Sequence, residues 1–545
     1  MRLFRTVLRE IPENLNSLLL MTCLAAVAAA FFVWIVTTAA QAAAVGYVSA
    51  RIMLMFAITV ILSAVTHQYT LVTASQEAER LIHKLRVRIF DLARQTDLVT
   101  VEKIGYANLQ CVLTQDTQTL AQLLPMLVIG FQHAMMLLFM GVYLAYLSPV
   151  ACIIAFGLSG LAVGVRFARV SALRTHMESA AAAEGRVFSG LDELLQGFKE
   201  VRMSGPRADG VTGALGDASS AARAANAALK ERWGKNYAVM EGMLFSLIGL
   251  MAFVVPLFTP GYHEVILPAT IAVLFIVGPV STVAFVTPMF TQAELTLDNI
   301  EKMEDRLRAA AGAAAGEAAR KLERAPSSIA LNDAVLSYRD TEGHPLFTVG
   351  PVAAEFHAGQ ITFVTGGNGS GKSTLLRMLT GLIPLDGGDL LADVKALSTD
   401  QLQDYRDRIS AVFSDYHLSR RLYGIDDPDP ARIEDLIDRL NLQGKVTVSN
   451  GAFSTVDLSG GQRKRLAFLV SELEDKPVIV LDELAADQDP HFRRVFYEEI
   501  LPDLKARGKI VICVTHDDRW YHLADRVYHM DEGMIDQVQV KAKDG

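Results

Sequence analysis

Cysteine is almost absent: Cys23, Cys111, Cys152 and Cys513 are the only four in 545 residues, scattered without pairing or metal-ligand spacing. No disulfide framework is implied, and they read as small buried apolar residues in a reducing compartment. Positive charge is not in excess. The 51 Lys and Arg against 60 Asp and Glu leave a formal net charge of −9, which argues against nucleic acid as the main partner. Acidic residues are missing from the middle of the long apolar runs, which argues against a proton relay. What is plentiful is apolar: 51% hydrophobic residues and a mean hydropathy of +0.28, with charge still at 20%. That is too apolar for an ordinary soluble enzyme and too charged for a membrane bundle alone, so a chain of two parts fits.

The membrane part comes first. Met1 to Asn16 interleaves Arg2, Arg5 and Arg9 with apolar residues, as in an amphipathic helix on a membrane surface. The run from Ser17 to about Gly46 is too long for the 7–15-residue core of a signal peptide, and predicts a first span. Five more follow at roughly 50–74, 123–147, 149–170, 237–259 and 264–290, the third and fourth joined by Ser148-Pro149. Basic residues gather between spans two and three (Arg80 to Lys103) and between four and five (Arg166 to Lys230), while the opposite loops carry almost none. This places both termini inside. Leu81, Leu85, Ile89 and Leu92 recur at helical spacing, so Ser75 to Lys103 predicts a helix reaching about 40 Å into the cytosol. Glu184 to Arg202 behaves similarly, with Glu193–Val201 capping a hairpin. Such hairpins either carry force from a soluble motor or are merely surface structure.

From Ala309 to Pro326 an Ala/Gly-rich stretch predicts a linker, and the soluble domain starts near Ser327 with strand-like Ile329–Leu331 and Ala334–Tyr338. Gly366-Gly367-Asn368-Gly369-Ser370-Gly371-Lys372-Ser373-Thr374 fits the phosphate-cradling Walker A pattern, between an apolar strand at Ile361–Thr365 and a helix continuing through Leu375–Leu379. Its glycines let backbone N–H groups face an anion, Lys372 is placed for the outer phosphates and Ser373 for Mg²⁺. Val478–Leu481 is an apolar strand that delivers Asp482 and Glu483 to a nucleotide crevice. Asp482 is placed for Mg²⁺, and Glu483 to orient or deprotonate a water. Leu458-Ser459-Gly460-Gly461-Gln462, before a helix from about Arg463 to Glu474, is a second phosphate-binding helix start. One P-loop already serves a nucleotide, so this one fits the nucleotide of a second copy.

Taken in this order behind six spans, Walker A, LSGGQ and the LDE strand resemble an ABC half-transporter of the exporter type, over essentially the whole chain. The resemblance implies an α-helical six-span transmembrane domain (1–308), a linker (309–326) and a C-terminal α/β P-loop ATPase domain (327–545). It also implies ATP and Mg²⁺ as cofactors, a homodimer, and a bacterial inner membrane with the nucleotide domain in the cytoplasm. By it, Tyr338 matches the aromatic that stacks on adenine, Asp489 the loop aspartate that contacts the partner domain, and His516 the switch histidine at the γ-phosphate.

One position departs. Where most such proteins carry a glutamine that touches Mg²⁺ and senses the membrane domain, this chain has Ser414, followed by Asp415. A serine hydroxyl can still ligate, with shorter reach. The string Val412-Phe413-Ser414-Asp415-Tyr416-His417-Leu418, with Leu481–Pro490 (LDELAADQDP), resembles the bacterial cyclic-peptide exporters of syringomycin-type lipopeptides, pyoverdine precursors or lasso microcins. A small constrained peptide is the cargo so implied. A lipid, drug or inward-moving siderophore is the alternative, and a non-transport ATPase is disfavoured by the intact motifs. No Cys/His pair precedes span one, so no leader peptidase is expected and peptide cargo would arrive processed. His67, Gln68, Gln132 and His133 either line a cavity or bond neighbouring helices.

Overall fold

The computed structural model describes residues 12–44, 46, 49–258, 266–314, 321–339 and 344–540. The expected surface helix lies mostly outside them, and Pro12–Asn16 belong instead to the first long helix, Pro12–Ala44. Two compact units emerge: Met1–Phe90 with Ala107–Asp305, and Asp91–Tyr106 with Arg306–Gly545.

The first unit is helical. Among the described residues, five of its helices are long and apolar enough to cross a membrane: Asn16–Ala43, Ala50–Gln95, Asn108–Leu147, Gly205–Leu257 and Ile266–Ala310. The sixth expected span falls on the helix Pro149–Gln196, whose described apolar stretch, Pro149–Val165, is shorter. The hairpin before it is made by side-chain chemistry. Ser148 caps the helix by accepting from the Ala151 N–H, and Pro149 sits where no N–H is needed. Small residues such as Ala151, Ala155, Ala162, Ala269, Ala272 and Ala284 fill the packed interior, as close helix approach in a bilayer requires. Ala50–Gln95 shows the inverted pattern of a lipid-facing helix. Its threonines 59, 66 and 70 are buried and bond the carbonyl four residues back at 2.8 Å, while Met53, Leu54, Ile58, Ile61 and Val65 are exposed.

Three expectations change here. The cytosolic extension of span two is not one helix to Lys103: it stops at Gln95, and Asp97 caps a short new helix, Leu98–Ile104, that belongs to the second unit. The expected linker is partly helical, because Ile266–Ala314 runs on through alanines, the best helix formers. And only Cys513 is buried; Cys111 is exposed on a helix surface, with its thiol 3.2 Å from Gln115 Oε1.

The second unit is built on strands, numbered in chain order. β1 (Ser328–Arg339), β2 (Pro345–His357), β4 (Gly387–Ala392) and β5 (Lys395–Ala396) form an antiparallel sheet in the order β2-β1-β4-β5. β1 is one strand where two were expected: Asp333, at φ 46°, takes up a bulge between its halves. β3 (Gln360–Gly366), β6 (Ile409–Val412), β9 (Val478–Asp482), β10 (Ile510–Val514), β11 (Arg526–Asp531) and β12 (Met534–Val540) form the main sheet, ordered β12-β11-β3-β10-β9-β6. β7 (Val448–Ser449) and β8 (Ala452–Phe453) make a small separate hairpin. All main-sheet pairings except β11–β12 are parallel. β3, β9 and β10 are buried on both faces and therefore read as unbroken apolar runs. Phe363, Ile479, Leu481 and Val511 go to one core, and Val364, Val478, Val480 and Ile512 to the other. Register aligns the carboxyl ends: Val514 pairs with both Val364 and Asp482, and Leu481 with Val412. The loops that follow four strands therefore leave from one edge of the sheet, where ligands bind in such folds.

Candidate functional site

The loop between β3 and the helix Lys372–Leu379 needs its glycines. A Cβ on Gly366 (φ 140°) would lie 2.2 Å from the Met530 carbonyl oxygen, and one on Gly371 (φ 100°) 2.9 Å from Val349 Cγ2. Gly369 is also left-handed, at φ 80°, while Asn368 is exposed at the loop tip. Lys372 folds back over the loop and donates to the carbonyls of Gly366 (3.1 Å) and Gly367 (2.8 Å). Burial holds its pKa below the ordinary lysine value, against the pull of Glu483 and Asp482. Ser370 Oγ is buried with no hydrogen-bond partner among the described residues. A lysine bonded only to loop carbonyls, an orphaned hydroxyl and a helix N-terminus suit a phosphate chain. Ser373 and Thr374 open the helix.

Asp482 ends β9, 3% exposed. Its Oδ2 accepts from Ser373 Oγ at 3.4 Å and from the Ser414 N–H at 3.3 Å. Burial pushes its pKa up and the charge of Glu483 adds to that, while hydrogen bonds from Ser414 and Ser373 pull it down. A buried carboxylate beside two hydroxyls is an oxygen set suited to a hard cation such as Mg²⁺. Glu483 has the left-handed backbone (φ 52°), which turns it out of the strand direction. Its Oε1 lies 3.1 Å from His516 Nε2. His516 follows Thr515, whose hydroxyl is held by the Tyr497 hydroxyl at 2.6 Å. Glu483, Tyr497, Thr515 and His516 share a cavity of about 280 Å³.

LSGGQ starts its helix earlier than expected, at Gly460. Ser459 is the N-cap in a reciprocal capping box with Gln462, which a helix opening at Arg463 would not have. Among the described residues, the hydrogen bonds of this start run within itself and to the loop after β9, where Gln488 Nε2 donates to the Gly461 carbonyl at 3.0 Å. Leu458 leads into the cap. Asp489 Oδ1 accepts from the Phe492 N–H at 2.9 Å and so caps the next helix.

Tyr338, near the end of β1 and half-buried, lies beside Arg377. Arg377 also reaches Asp415 Oδ2 (3.4 Å) and Glu102 Oε1 (3.5 Å), the latter from the short helix Leu98–Ile104 of the same unit. Sequence reading missed Arg377, which follows the P-loop without any motif of its own. Ser414 and Asp415 thus face different partners: Ser414 the Asp482 carboxylate, Asp415 the arginine that meets Glu102. Ser414→Ala is expected to weaken Mg²⁺-dependent ATPase several-fold. Asp415→Asn is expected to leave the Mg²⁺ dependence alone and lower only stimulation by cargo. Mg²⁺ titrations of basal and stimulated ATPase separate the two, and an unchanged Ser414→Ala curve would remove Ser414 from the metal set. In the membrane part, His67 Nδ1 lies 3.3 Å from Gln132 Oε1, a bond between neighbouring helices.

Comparison with known proteins agrees with this geometry. Residues 349–486 match the family model described as ABC transporter. The ATP-binding protein SyrD of Pseudomonas syringae pv. syringae is 33% identical over 476 residues, 84% of this chain and 82% of that protein. The ATP-dependent lipid A-core flippase of Hahella chejuensis is 28% identical over 193 residues, 33% of each chain. A structure of a bacterial Atm1-family ABC exporter with ATP bound matches at a TM-score of 0.75 and 16% identity, covering 97% of this chain and 95% of that one. At that identity it is the fold that is shared.

Proposed function

Since the chain belongs to the ABC transporters, as a half-transporter of the exporter type, we propose that it exports a small cyclic, lasso or otherwise constrained peptide, as a homodimer, across a bacterial inner membrane. ATP hydrolysis coupled to transport is the activity of this family. The observation that carries the reading is the convergence of Gly366–Thr374, Ser414, Asp482, Glu483 and His516 at one edge of the parallel sheet.

In this reading residues 1–308 form the path, 327–545 the motor and 309–326 the connection. The P-loop N–H groups and Lys372 hold the phosphates of ATP, and Tyr338 stacks on its adenine. Ser373, Asp482 and Ser414 hold Mg²⁺, which when bound offsets charge on the phosphate oxygens. Glu483 takes the proton of the attacking water, and His516 orients Glu483 and meets the γ-phosphate. One chain has one P-loop and one LSGGQ, so two copies pair head to tail. LSGGQ and Asp489 of each copy then close the other's ATP site. Peptide cargo rests on the Val412–Leu418 and Leu481–Pro490 strings; the flippase matches over only a third of its length.

The test is ATP-dependent uptake by inside-out vesicles bearing the full chain, offered a fluorescent cyclic lipopeptide and, separately, a fluorescent lipid A analogue. Peptide accumulation that disappears in Glu483→Gln vesicles is expected. Movement of the lipid alone would replace the peptide reading.

A further inference from the structure

We propose that Lys464 and Gln488 are positioning residues that lock the LSGGQ helix to the turn carrying Glu483, so that the two ATP sites of the dimer inform each other through a single chain. The proposal rests on the reading above, in which Glu483 acts on the ATP of its own P-loop while LSGGQ closes the partner's.

Lys464 lies one turn into the helix Gly460–Glu474, and its side chain is 13% exposed. Its ammonium donates to the backbone carbonyl of Glu483 at 3.2 Å and to Asp487 Oδ2 at 2.7 Å. An ion pair with an exposed carboxylate alone would do little. The bond to the Glu483 carbonyl is different in kind. It holds the one peptide unit whose geometry aims the base. Glu483 is not glycine, yet stands at φ 52°; such a conformation persists only where its surroundings enforce it.

Gln488 makes the second tie. It is 4% exposed, and Nε2 donates to the carbonyls of Gly461 (3.0 Å) and Leu484 (3.4 Å). One amide thus bridges the pentapeptide to the residue after the base. The approach is close: a Cβ on Gly461 would meet Gln488 Oε1 at 3.1 Å and the Asp487 carbonyl at 3.2 Å. The ammonium and the amide make the helix start and the catalytic turn one piece. Movement of LSGGQ onto the partner's phosphates must therefore move the Glu483 backbone, and hydrolysis at one site becomes conditional on closure of the other. Lys464 lies just past LSGGQ and Gln488 within the Leu481–Pro490 string, and neither touches the P-loop side of the site.

The test measures ATPase against ATP concentration in full-length protein in nanodiscs. Lys464→Met is expected to lower kcat about tenfold, in keeping with the cost of misplacing a catalytic group, with KM within twofold and the melting temperature unchanged. Lys464→Arg should recover most of the loss. Gln488→Leu should lower kcat in the same direction. Dimers carrying Lys464→Met in one copy only, isolated with two affinity tags, should run well below the mean of the two homodimers. A Lys464→Met kcat within twofold of wild type overturns the lock, and so does a loss that tracks a lower melting temperature without rescue by Arg. Mixed dimers at the mean overturn the link between sites. Glu483→Gln is the control for the underlying reading: normal turnover there means that the base was misassigned, whatever Lys464 does.

Discussion

Glu483→Gln is expected to bind ATP normally and to hydrolyse it at least about a hundred times more slowly, in line with the 10²–10⁴-fold contribution of a positioned general base. The geometry favours Glu483 over its neighbours. Asp482 is buried against Ser373 and Ser414, where it suits a cation. Glu483 is turned away from that cluster by its left-handed backbone and looks into the cavity shared with Thr515 and His516. The glutamine keeps the size and the hydrogen bond to His516 Nε2 but cannot take a proton. The variant should therefore trap ATP between two copies, visible as ATP that stays with the protein through size exclusion in the presence of Mg²⁺. His516→Ala should slow hydrolysis less, because it removes the group that orients the base and leaves the base. If Glu483→Gln turns over near the wild-type rate while His516→Ala does not, the roles exchange.

The P-loop, Asp482 and Glu483 were legible because each signal is local: an unbroken apolar strand, then loop residues whose types the chemistry demands. What stayed illegible was set by contacts distant in sequence or by a cap that competes with a breaker. Gly460 and Gly461 look like helix breakers, yet Ser459 and Gln462 satisfy the first N–H groups between them and the helix includes both glycines. The Ala/Gly-rich composition from Ala309 to Pro326 suggested a linker, where the first alanines carry the helix on to Ala314. Asp97 stands in a run with helical periodicity, but its carboxylate accepts from the Thr100 N–H and starts a new helix there. Arg377 and Lys464 carry no local mark at all, and Gln488 none that points to LSGGQ. Arg377 acquires its role only when β1, the loop after β6 and the helix Leu98–Ile104 meet around it.

Asp482→Asn is expected to have opposite effects on activity and on stability. The amide can still accept from the Ser414 N–H, but it brings no charge to a cation, so Mg²⁺-dependent hydrolysis should fall by about a hundredfold or more if the metal contributes several kcal/mol of transition-state stabilisation. Without nucleotide and Mg²⁺ the same substitution should raise Tm, because it removes an ionised carboxylate from a buried position. The pH dependence follows from the direction of the shift. Burial raises the Asp482 pKa above the ordinary carboxylate value, so the folded state holds this proton more tightly than the unfolded chain does. Stability from the group is then present in acid and is lost as pH rises from the ordinary carboxylate range through the raised value. The Tm advantage of Asn over Asp should accordingly be small at the acid end, widen across that interval and level off towards neutrality. Mg²⁺ with ATP should narrow it again, since a bound cation compensates the wild-type charge and not the amide. Melting curves of both proteins at several pH values, with and without Mg²⁺ and ATP, read this directly. A variant that melts below wild type at neutral pH in the absence of Mg²⁺ would mean that the Asp482 charge is already compensated by Lys372 inside the empty site.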